Sequence, residues 1–332
     1  MTNKRVLALP ERVIFLKTDL GILKKRFSVK TVSGFNRRNP LRGIVSILEI
    51  LIWTLWADLT FSWFAGVDAF WAVLFSKLFG KKSVVVASGF SVAAMPEIKY
   101  GAMRGGISSR VVKFILGHAT KVLAVSEFNM KEILRYIGDE KVRLVYHSVD
   151  HKKFKPAGEK QSNLVITTGN VTASNLTRKG LKTFVESARL LPEAEFILIG
   201  RYIDHSIEYL KSIATSNIQF TGYISQDRLI DYYQRAKLYV QVSAHEAFGI
   251  ALAEAMLCEC VPVVTNRGAL PEVVGGTGFY VPYGDAEATA KAIRKALNCD
   301  KGKEARERIK TMFPSEKRER ELIMEIQELL KA

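Results

Sequence analysis

The chain has 332 residues, of which 48% are hydrophobic and 25% charged, and a formal net charge of +16. This composition excludes an intrinsically disordered chain, and the length favours two domains over one core. The positive charge is uneven, since residues 1–150 carry 23 Lys and Arg against 11 Asp and Glu, whereas residues 151–332 carry 26 against 22. We therefore expect an anionic partner for the N-terminal half.

Cysteine usage and the N-terminus favour a cytoplasmic protein, and the basic charge of the N-terminal half favours a peripheral position on the inner face of the membrane. Cys258, Cys260 and Cys299 are odd in number and lack the spacing of a zinc or redox pair, which is typical of a reducing compartment. Pro10 and the charges after it precede any apolar run long enough for a signal peptide.

Short apolar strands alternate with helical patterns in the N-terminal half. Strands are predicted at Arg12–Leu16, Leu59–Phe64, Ser83–Ala87, Val122–Val125 and Val142–Tyr146. Helices are predicted to begin near Leu41, Asp68, Ser109 and Ser126, the last with Ser126 as its N-cap. This alternation indicates a mostly parallel sheet that is covered on both faces.

The apolar stretch from Ile44 to Phe64 is a candidate membrane segment. Glu49 and Asp58 interrupt the span of about 20 apolar residues that a membrane helix needs. We therefore predict a buried helix followed by a buried strand. Basic residues nearby suit a surface that contacts anionic lipid without crossing it; they are Lys24, Lys25, Arg26, Arg37, Arg38 and Arg42.

A polar stretch at residues 151–160 resembles a linker, and the strand–helix alternation restarts after it. Strands are predicted at Leu164–Thr168, Glu195–Ile199, Ile218–Phe220, Leu238–Val242 and Val261–Val264. The predicted domains are 1–155 and 156–314, and a C-terminal helix at 315–332 is expected to pack back on the first domain. Two such α/β halves leave a cleft between them, where small-molecule sites are common.

Several signatures are missing from the sequence. It contains no P-loop and no Gly-x-Gly-x-x-Gly after the first strand, which excludes the usual NTPases and dinucleotide oxidoreductases. No Asp-x-Asp occurs, so no metal cofactor is expected, and a diphosphate leaving group would need cations and helix N-termini. Arg178 and Lys179 provide such cations after the first strand of the second half, where ligands of α/β sheets collect.

Two carboxylates with seven residues between them, Glu246 and Glu254, flank the predicted start of a helix after Phe248. The first backbone N–H groups of a helix have no partner within it, so they can bind a sugar hydroxyl or a phosphate oxygen. Two carboxylates, which accept hydrogen bonds, therefore flank a set of backbone N–H donors.

Residues 120 to 300 resemble the retaining family-4 glycosyltransferases of the GT-B fold, also described as glycosyl transferases group 1. The resemblance is carried by Ala124-Val125-Ser126, Tyr146-His147-Ser148-Val149-Asp150, Lys179-Gly180, Gly222-Tyr223-Ile224-Ser225, Glu246-x7-Glu254 with Phe248-Gly249 inside it, Pro271-Glu272-Val273-Val274 and Gly278-Phe279-Tyr280-Val281. It implies two Rossmann-like α/β/α domains that face an interdomain cleft.

The resemblance also implies roles for single residues. Glu246 and Lys179 would be catalytic, with Glu246 on the donor sugar and Lys179 on the diphosphate. Other donor-binding positions would be Glu254 on the ribose, the backbone N–H groups of Phe248, Gly249 and Ile250, the cations Arg178 and Arg201, and Asn170, Tyr223 and Ile224. Acceptor-side candidates are Ser88, Gly89, Phe90 and Ser126.

The sequence departs from the family pattern at three places. Asn170 replaces the usual Arg after the first strand of the second half, and Ser88-Gly89-Phe90-Ser91 contains no histidine where many members have one. Glu259 replaces a glycine, a substitution that strains the backbone if φ is positive there.

The predicted function is that of a metal-independent retaining hexosyltransferase. It would move a sugar from a uridine or guanosine diphosphate donor to a glycan, with lipid-linked glycans among the candidates. An anionic membrane surface is a candidate partner of the basic N-terminal domain, and no nucleic acid partner is expected. Two alternatives stay open: a nucleotide-sugar epimerase of similar fold, and a non-catalytic relative that binds a sugar nucleotide or glycan.

Overall fold

The computed structural model describes residues 4–10, 14–35 and 40–331. The chain divides into two compact units, one within residues 1–146 and 316–332 and the other within 147–315. The division falls between Tyr146 and His147, ahead of the predicted linker.

Within the described residues, the first unit contains a six-stranded parallel sheet in the order β2-β1-β3-β4-β5-β6. Its strands are β1 (Arg5–Leu9), β2 (Ser28–Thr31), β3 (Leu59–Trp63), β4 (Lys82–Val86), β5 (Lys121–Ala124) and β6 (Val142–Leu144). Its helices are α1 (Ile14–Lys24), α2 (Pro40–Trp56), α3 (Val67–Leu78), α4 (Gly106–His118) and α5 (Glu127–Ile133). All residues of β3 and β5 are buried, as expected of inner strands that helices cover on both faces.

The second unit, in the part that the structure describes, repeats this plan with the strand order β12-β11-β10-β7-β8-β9, again all parallel. Its strands are β7 (Gln161–Thr168), β8 (Glu195–Ile199), β9 (Ile218–Phe220), β10 (Ala236–Gln241), β11 (Val261–Thr265) and β12 (Phe279–Val281). Its helices are α6 (Ala173–Arg178), α7 (Leu181–Ala188), α8 (Ser206–Ile213), α9 (Gln226–Arg235), α10 (Ile250–Leu257), α11 (Leu270–Val274), α12 (Ala286–Leu297) and α13 (Gly302–Met312).

The C-terminal helix α14 (Ser315–Lys331) is joined to the first unit by a buried ion pair. Arg318 donates from Nε and Nη2 to the two carboxylate oxygens of Asp19, each at 2.7 Å. Its Nη1 donates to the backbone carbonyls of Val145 and Tyr146 at 3.0 and 2.7 Å. Both charged side chains are almost fully buried, so each charge is stabilised by the opposite charge of its partner.

The N-terminal strand prediction was wrong. The first strand is Arg5–Leu9, whereas Ile14–Leu16 lie in α1 and the remainder of the predicted strand lies outside the described residues. The apolar run of β1 is fully buried from Val6 onward and carries no alternation, so periodicity could not separate it from a buried helix. The short edge strand β2 was not predicted.

The helix predicted near Leu41 is present as α2, but the prediction that it is buried was wrong. Ile50 is buried with Leu7 and Phe75, in a cluster that β1, α2 and α3 share. The opposite face of α2 is exposed because a helix that packs on a sheet covers the sheet with only one of its sides. No helix among the described residues is long and apolar enough to span a membrane. Arg37 and Arg38 lie outside the described residues.

Helix α10 ends in a left-handed turn that contains Glu259, at φ 67°. The N–H of Glu259 donates to the carbonyl of Met256 at 2.9 Å, and the N–H of Cys260 to that of Ala255 at 3.0 Å. This is the hydrogen-bond pattern of a Schellman helix end, whose left-handed position is normally glycine. The backbone here therefore has the positive φ at which the departure from glycine causes strain.

Candidate functional site

A cluster of three charged side chains lies at the carboxyl ends of the neighbouring strands β7 and β10. Lys179 follows α6, and its Nζ lies 3.0 Å from Oε1 of Glu246 in the loop after β10. The same oxygen lies 3.8 Å from Nη1 of Arg178. All three side chains are at most 20% exposed. Two cations and one anion leave the cluster with a net positive charge.

The turn between α6 and α7 brings the two cations to the end of β10. Thr172 caps α6 by accepting the N–H of Asn175 at 3.1 Å. Gly180 has φ 66°, and a Cβ atom there would clash with the carbonyl oxygen of Val242. Only glycine allows the turn to lie this close to the end of β10. A hydrogen bond from the N–H of Ala244 to the carbonyl of Arg178, at 2.8 Å, joins the two segments.

Asn175 holds the guanidinium of Arg178 in place. Its Oδ1 accepts from Nε and Nη2 of Arg178 at 3.1 and 2.8 Å, and its Nδ2 donates to the carbonyl of Asn170 at 2.8 Å. Asn170 thus contributes its backbone to this arrangement, while the residue is exposed. Arg178, three residues after Asn175, supplies the cation next to the loop that contains Asn170.

The carboxylate of Glu246 is held in its ionised form. Ser243 Oγ donates to Oε1 at 3.2 Å. Burial raises the pKa of Glu246, but the attraction of Lys179 and then Arg178 outweighs it, and the pKa lies below its ordinary value. The backbone is fixed as well, because the carbonyl of Glu246 accepts the N–H of Ala269 at 2.9 Å. Glu246 is therefore an acceptor at neutral pH.

Glu254, on α10, has the opposite electrostatic environment. Burial raises its pKa to about 7, against smaller lowering effects of a hydrogen bond from Tyr233 and the charge of Lys153. The Tyr233 hydroxyl lies 3.5 Å from Oε2. Glu254 is the fifth residue of α10, which begins after Gly249 at φ 97°. This carboxyl changes its charge near neutral pH.

Comparison with known proteins identifies the second unit. Residues 149–312 match the family model described as Glycosyl transferases group 1. The second unit is a group 1 glycosyl transferase domain. A phosphatidylinositol N-acetylglucosaminyltransferase subunit of Arabidopsis thaliana is 28% identical over 222 residues, which cover 63% of this chain and 49% of that protein. The chain thus spans about half the length of that relative.

Solved structures show the fold of the whole chain. Sucrose-phosphate synthase from Thermosynechococcus elongatus superposes with a TM-score of 0.83 at 18% identity and covers 99% of both chains. Anabaena HepE in complex with UDP-glucose gives a TM-score of 0.80 at 16% identity, with 98% of this chain and 99% of that chain covered. The predicted α/β class and GT-B fold are confirmed.

The group 1 domain brings two further predicted residues together at the ends of β8 and β9. Cζ of Arg201 lies 4.2 Å from the ring centroid of Tyr223, so the guanidinium stacks on an exposed aromatic ring. The loops are joined by a hydrogen bond from the N–H of Gly200 to the carbonyl of Gly222 at 3.2 Å. Ile224 follows in the same loop. These residues lie at the edge of the sheet that also carries the Lys179–Glu246 pair.

Phe248 is anchored beneath the start of α10 of the group 1 domain. Its buried ring lies 5.1 Å from that of Phe313 and 5.5 Å from that of His147, measured between centroids. The side chain therefore packs in the unit, and the role predicted for Phe248, Gly249 and Ile250 belongs to their backbone N–H groups.

The acceptor-side candidates lie in the first unit, after the neighbouring strands β4 and β5. Ser88 is buried and precedes a single 3-10 turn, Gly89–Ser91, while Phe90 is exposed and its ring lies 5.5 Å from that of Tyr100. Ser126 is buried and accepts the N–H of Asn129 at 3.0 Å, so it is the predicted N-cap of α5.

Three polar residues that support the group 1 domain site were missed from the sequence. Asn175 and Ser243 each lie three residues before the charged residue that they bind, and such local spacing was the available signal. Tyr233 lies 21 residues before Glu254, so no local pattern indicated their contact. No group of three His, Cys, Asp or Glu side chains that could hold a metal ion occurs among the described residues.

Proposed function

We propose that the chain is a hexosyltransferase that moves a sugar from a uridine or guanosine diphosphate donor to a glycan, with the donor in the second unit. The observation that carries the proposal is the cluster of Lys179, Arg178 and Glu246 inside a group 1 glycosyl transferase domain. Its partly buried cations suit a diphosphate and its ionised carboxylate suits sugar hydroxyls. The Arabidopsis relative is named as a transferase of N-acetylglucosamine.

The donor would contact five groups of the domain. Lys179 and Arg178 bind the diphosphate, and Glu246 accepts hydrogen bonds from the sugar. The first N–H groups of α10 hold the sugar and phosphate oxygens, as helix starts do. Glu254 accepts from the ribose hydroxyls when ionised. The backbone at Tyr223 and Ile224 borders the base.

The reaction would retain the anomeric configuration. The bond between the anomeric carbon and the diphosphate oxygen breaks, and its electron pair leaves with the nucleoside diphosphate. The acceptor hydroxyl attacks on the same face and gives its proton to a phosphate oxygen of the leaving group. Lys179 and Arg178 stabilise the charge that develops on that group, and no protein nucleophile or metal ion takes part.

The acceptor belongs to the first unit in this proposal, and its chemistry follows from the charge of that unit. The basic excess of residues 1–150 favours an anionic glycan, and we propose a lipid-linked one at the cytoplasmic face of a membrane. The name of the Arabidopsis relative includes phosphatidylinositol, which supports a lipid partner by analogy.

The test is a panel of uridine, guanosine and adenosine diphosphate sugars, each incubated with and without a membrane lipid extract, with products identified by mass spectrometry. We expect one donor to give a glycosylated lipid product and chelator to leave the rate unchanged. Isomerised donor without acceptor would instead establish an epimerase. Donor binding without any turnover would establish a binding protein.

Paired variants locate the site. Glu246→Gln keeps the size of the side chain but removes its charge, and we expect turnover to fall about 100-fold. Glu186→Gln is the matched control, because Glu186 also pairs with a lysine, Lys182 at 3.5 Å, on the surface of the same unit. Equal turnover in the two variants would refute the assignment.

A further inference from the structure

Helix α2 of the first unit exposes a continuous ridge of aliphatic side chains. Six of its residues are between 50% and 75% exposed. They are Leu41, Ile44, Val45, Leu48, Ile52 and Leu55. At 100° per residue they fall within an arc of about 100°, so they form one stripe along the helix. We call this stripe the α2 ridge.

The α2 ridge is not explained by the packing of the first unit. The inner side of α2 already packs on β1 and α3, through residues such as Ile50 and Leu51. Single exposed apolar residues are ordinary on protein surfaces, but a contiguous apolar stripe usually marks an interaction surface.

Cations occur on α2 itself and on the neighbouring elements β2 and α3. Lys30, on β2, places its Nζ 5.0 Å from the ring centroid of Trp53, a half-exposed residue of α2. Arg42 is exposed in the first turns of α2, and the exposed Lys77 lies near the end of α3, beside the exposed Leu78. Within α2 the only acidic residue is Glu49, which is half-exposed.

We propose that the α2 ridge docks on an anionic lipid bilayer, with α2 lying in the plane of the interface. Aliphatic side chains on one face, together with tryptophan and cations on the same helix and its neighbours, are the features of helices that lie in the headgroup region. A basic surface adds attraction to anionic lipid, which a second copy of the same basic unit would not supply. This inference rests on the proposed function, in which the first unit binds a lipid-linked acceptor. The α2 ridge would be the surface by which that unit reaches the acceptor.

The test measures co-sedimentation of the full chain with vesicles of phosphatidylcholine alone or mixed with phosphatidylglycerol. We expect binding to the mixed vesicles at low salt and weaker binding at high salt. The variant Ile44→Gln/Leu48→Gln/Ile52→Gln removes three ridge side chains that are already exposed, and glutamine is a good helix former. We expect its partition coefficient to fall at least about tenfold.

A matched control carries three glutamines at exposed apolar positions away from the ridge, Leu134→Gln/Leu190→Gln/Met324→Gln. It should bind vesicles like the wild type, and circular dichroism should show that both variants fold. Equal vesicle binding by both variants, or no vesicle binding by the wild type, would overturn the inference. A wild-type dimer that only the ridge variant dissociates, without vesicle binding, would show that the ridge binds a second copy instead.

Donor turnover in vesicle-free buffer separates this inference from the proposed function. The ridge variant should consume nucleotide sugar at the wild-type rate, because the ridge lies outside the donor-binding unit. A wild type that binds vesicles through the ridge but never turns over any donor would refute the proposed function and leave the docking surface in place.

Discussion

Replacing Glu254 with glutamine should stabilise the protein and weaken its binding of nucleotide at the same time. The carboxyl of Glu254 has a pKa of about 7 in the folded protein, against an ordinary 4.5, chiefly because of burial. Between these two pH values the folded state holds a proton that the unfolded chain has lost, so the free energy of unfolding falls as the pH rises. The difference in pKa corresponds to about 3 kcal/mol at pH 8 and about 1 kcal/mol at pH 5.

Thermal denaturation at pH 5 and pH 8 measures this effect. We expect Glu254→Gln to raise the melting temperature of the second unit by about 6–12 °C at pH 8, and by less at pH 5. Calorimetry with uridine or guanosine diphosphate should show an affinity at least about tenfold weaker than that of the wild type, since an ionised acceptor is lost.

The control is Glu159→Gln, at an exposed loop position of the same unit, which should change neither quantity. An equal gain in melting temperature at pH 5 and pH 8 would show that ionisation of the Glu254 carboxyl does not destabilise the folded protein. Unchanged nucleotide affinity would refute the role of Glu254 on the ribose.

Variants at Glu259, Asn175 and Arg318 each test one local feature of the structure. Glu259→Gly should raise the free energy of unfolding by about 1 kcal/mol in urea titration, because φ is 67° there; a loss of stability would contradict the strain. Asn175→Ala should raise KM for the donor about tenfold with little change in kcat, since it frees the guanidinium of Arg178; an unchanged KM would show that this hold is dispensable. Arg318→Met should lower the free energy of unfolding of the first unit by about 3–5 kcal/mol in denaturant titration, because Asp19 is left buried without its cation, and a smaller loss would show that water reaches the carboxylate.

The sequence predicted the second unit better than the first. Glu195–Ile199 and Ile218–Phe220 are strands with the predicted bounds, because turn residues limit each apolar run. In the first unit, β1 is a short buried run with no alternation, and its signal was assigned to the wrong segment. The exposure of the α2 ridge was also missed, since a sequence of apolar residues does not indicate which of them a sheet will cover.

The residues of the candidate site were predicted from the sequence, but the side chains that hold them in place were not. Glu246 and Lys179 were expected near one ligand, and the structure brings their side chains to 3.0 Å of each other. Burial raises the pKa of Glu254, and the hydrogen bond from Tyr233 on another helix lowers it by less; both effects arise from tertiary packing. Because the family pattern places glycine at position 259, we expected Glu259 to strain the backbone if φ is positive there. The structure gives a positive φ of 67° at this residue.

The proposed reaction depends on the partly buried cation Lys179, which would stabilise the nucleoside diphosphate as it leaves the donor sugar. The most direct measurement compares kcat/KM for sugar transfer in Lys179→Ala and Lys182→Ala, two lysines three positions apart of which only Lys179 pairs with Glu246. The proposed reaction predicts a loss of at least about 100-fold for Lys179→Ala and a change within about twofold for Lys182→Ala. A Lys179→Ala variant that is folded and transfers sugar at the wild-type rate would contradict it.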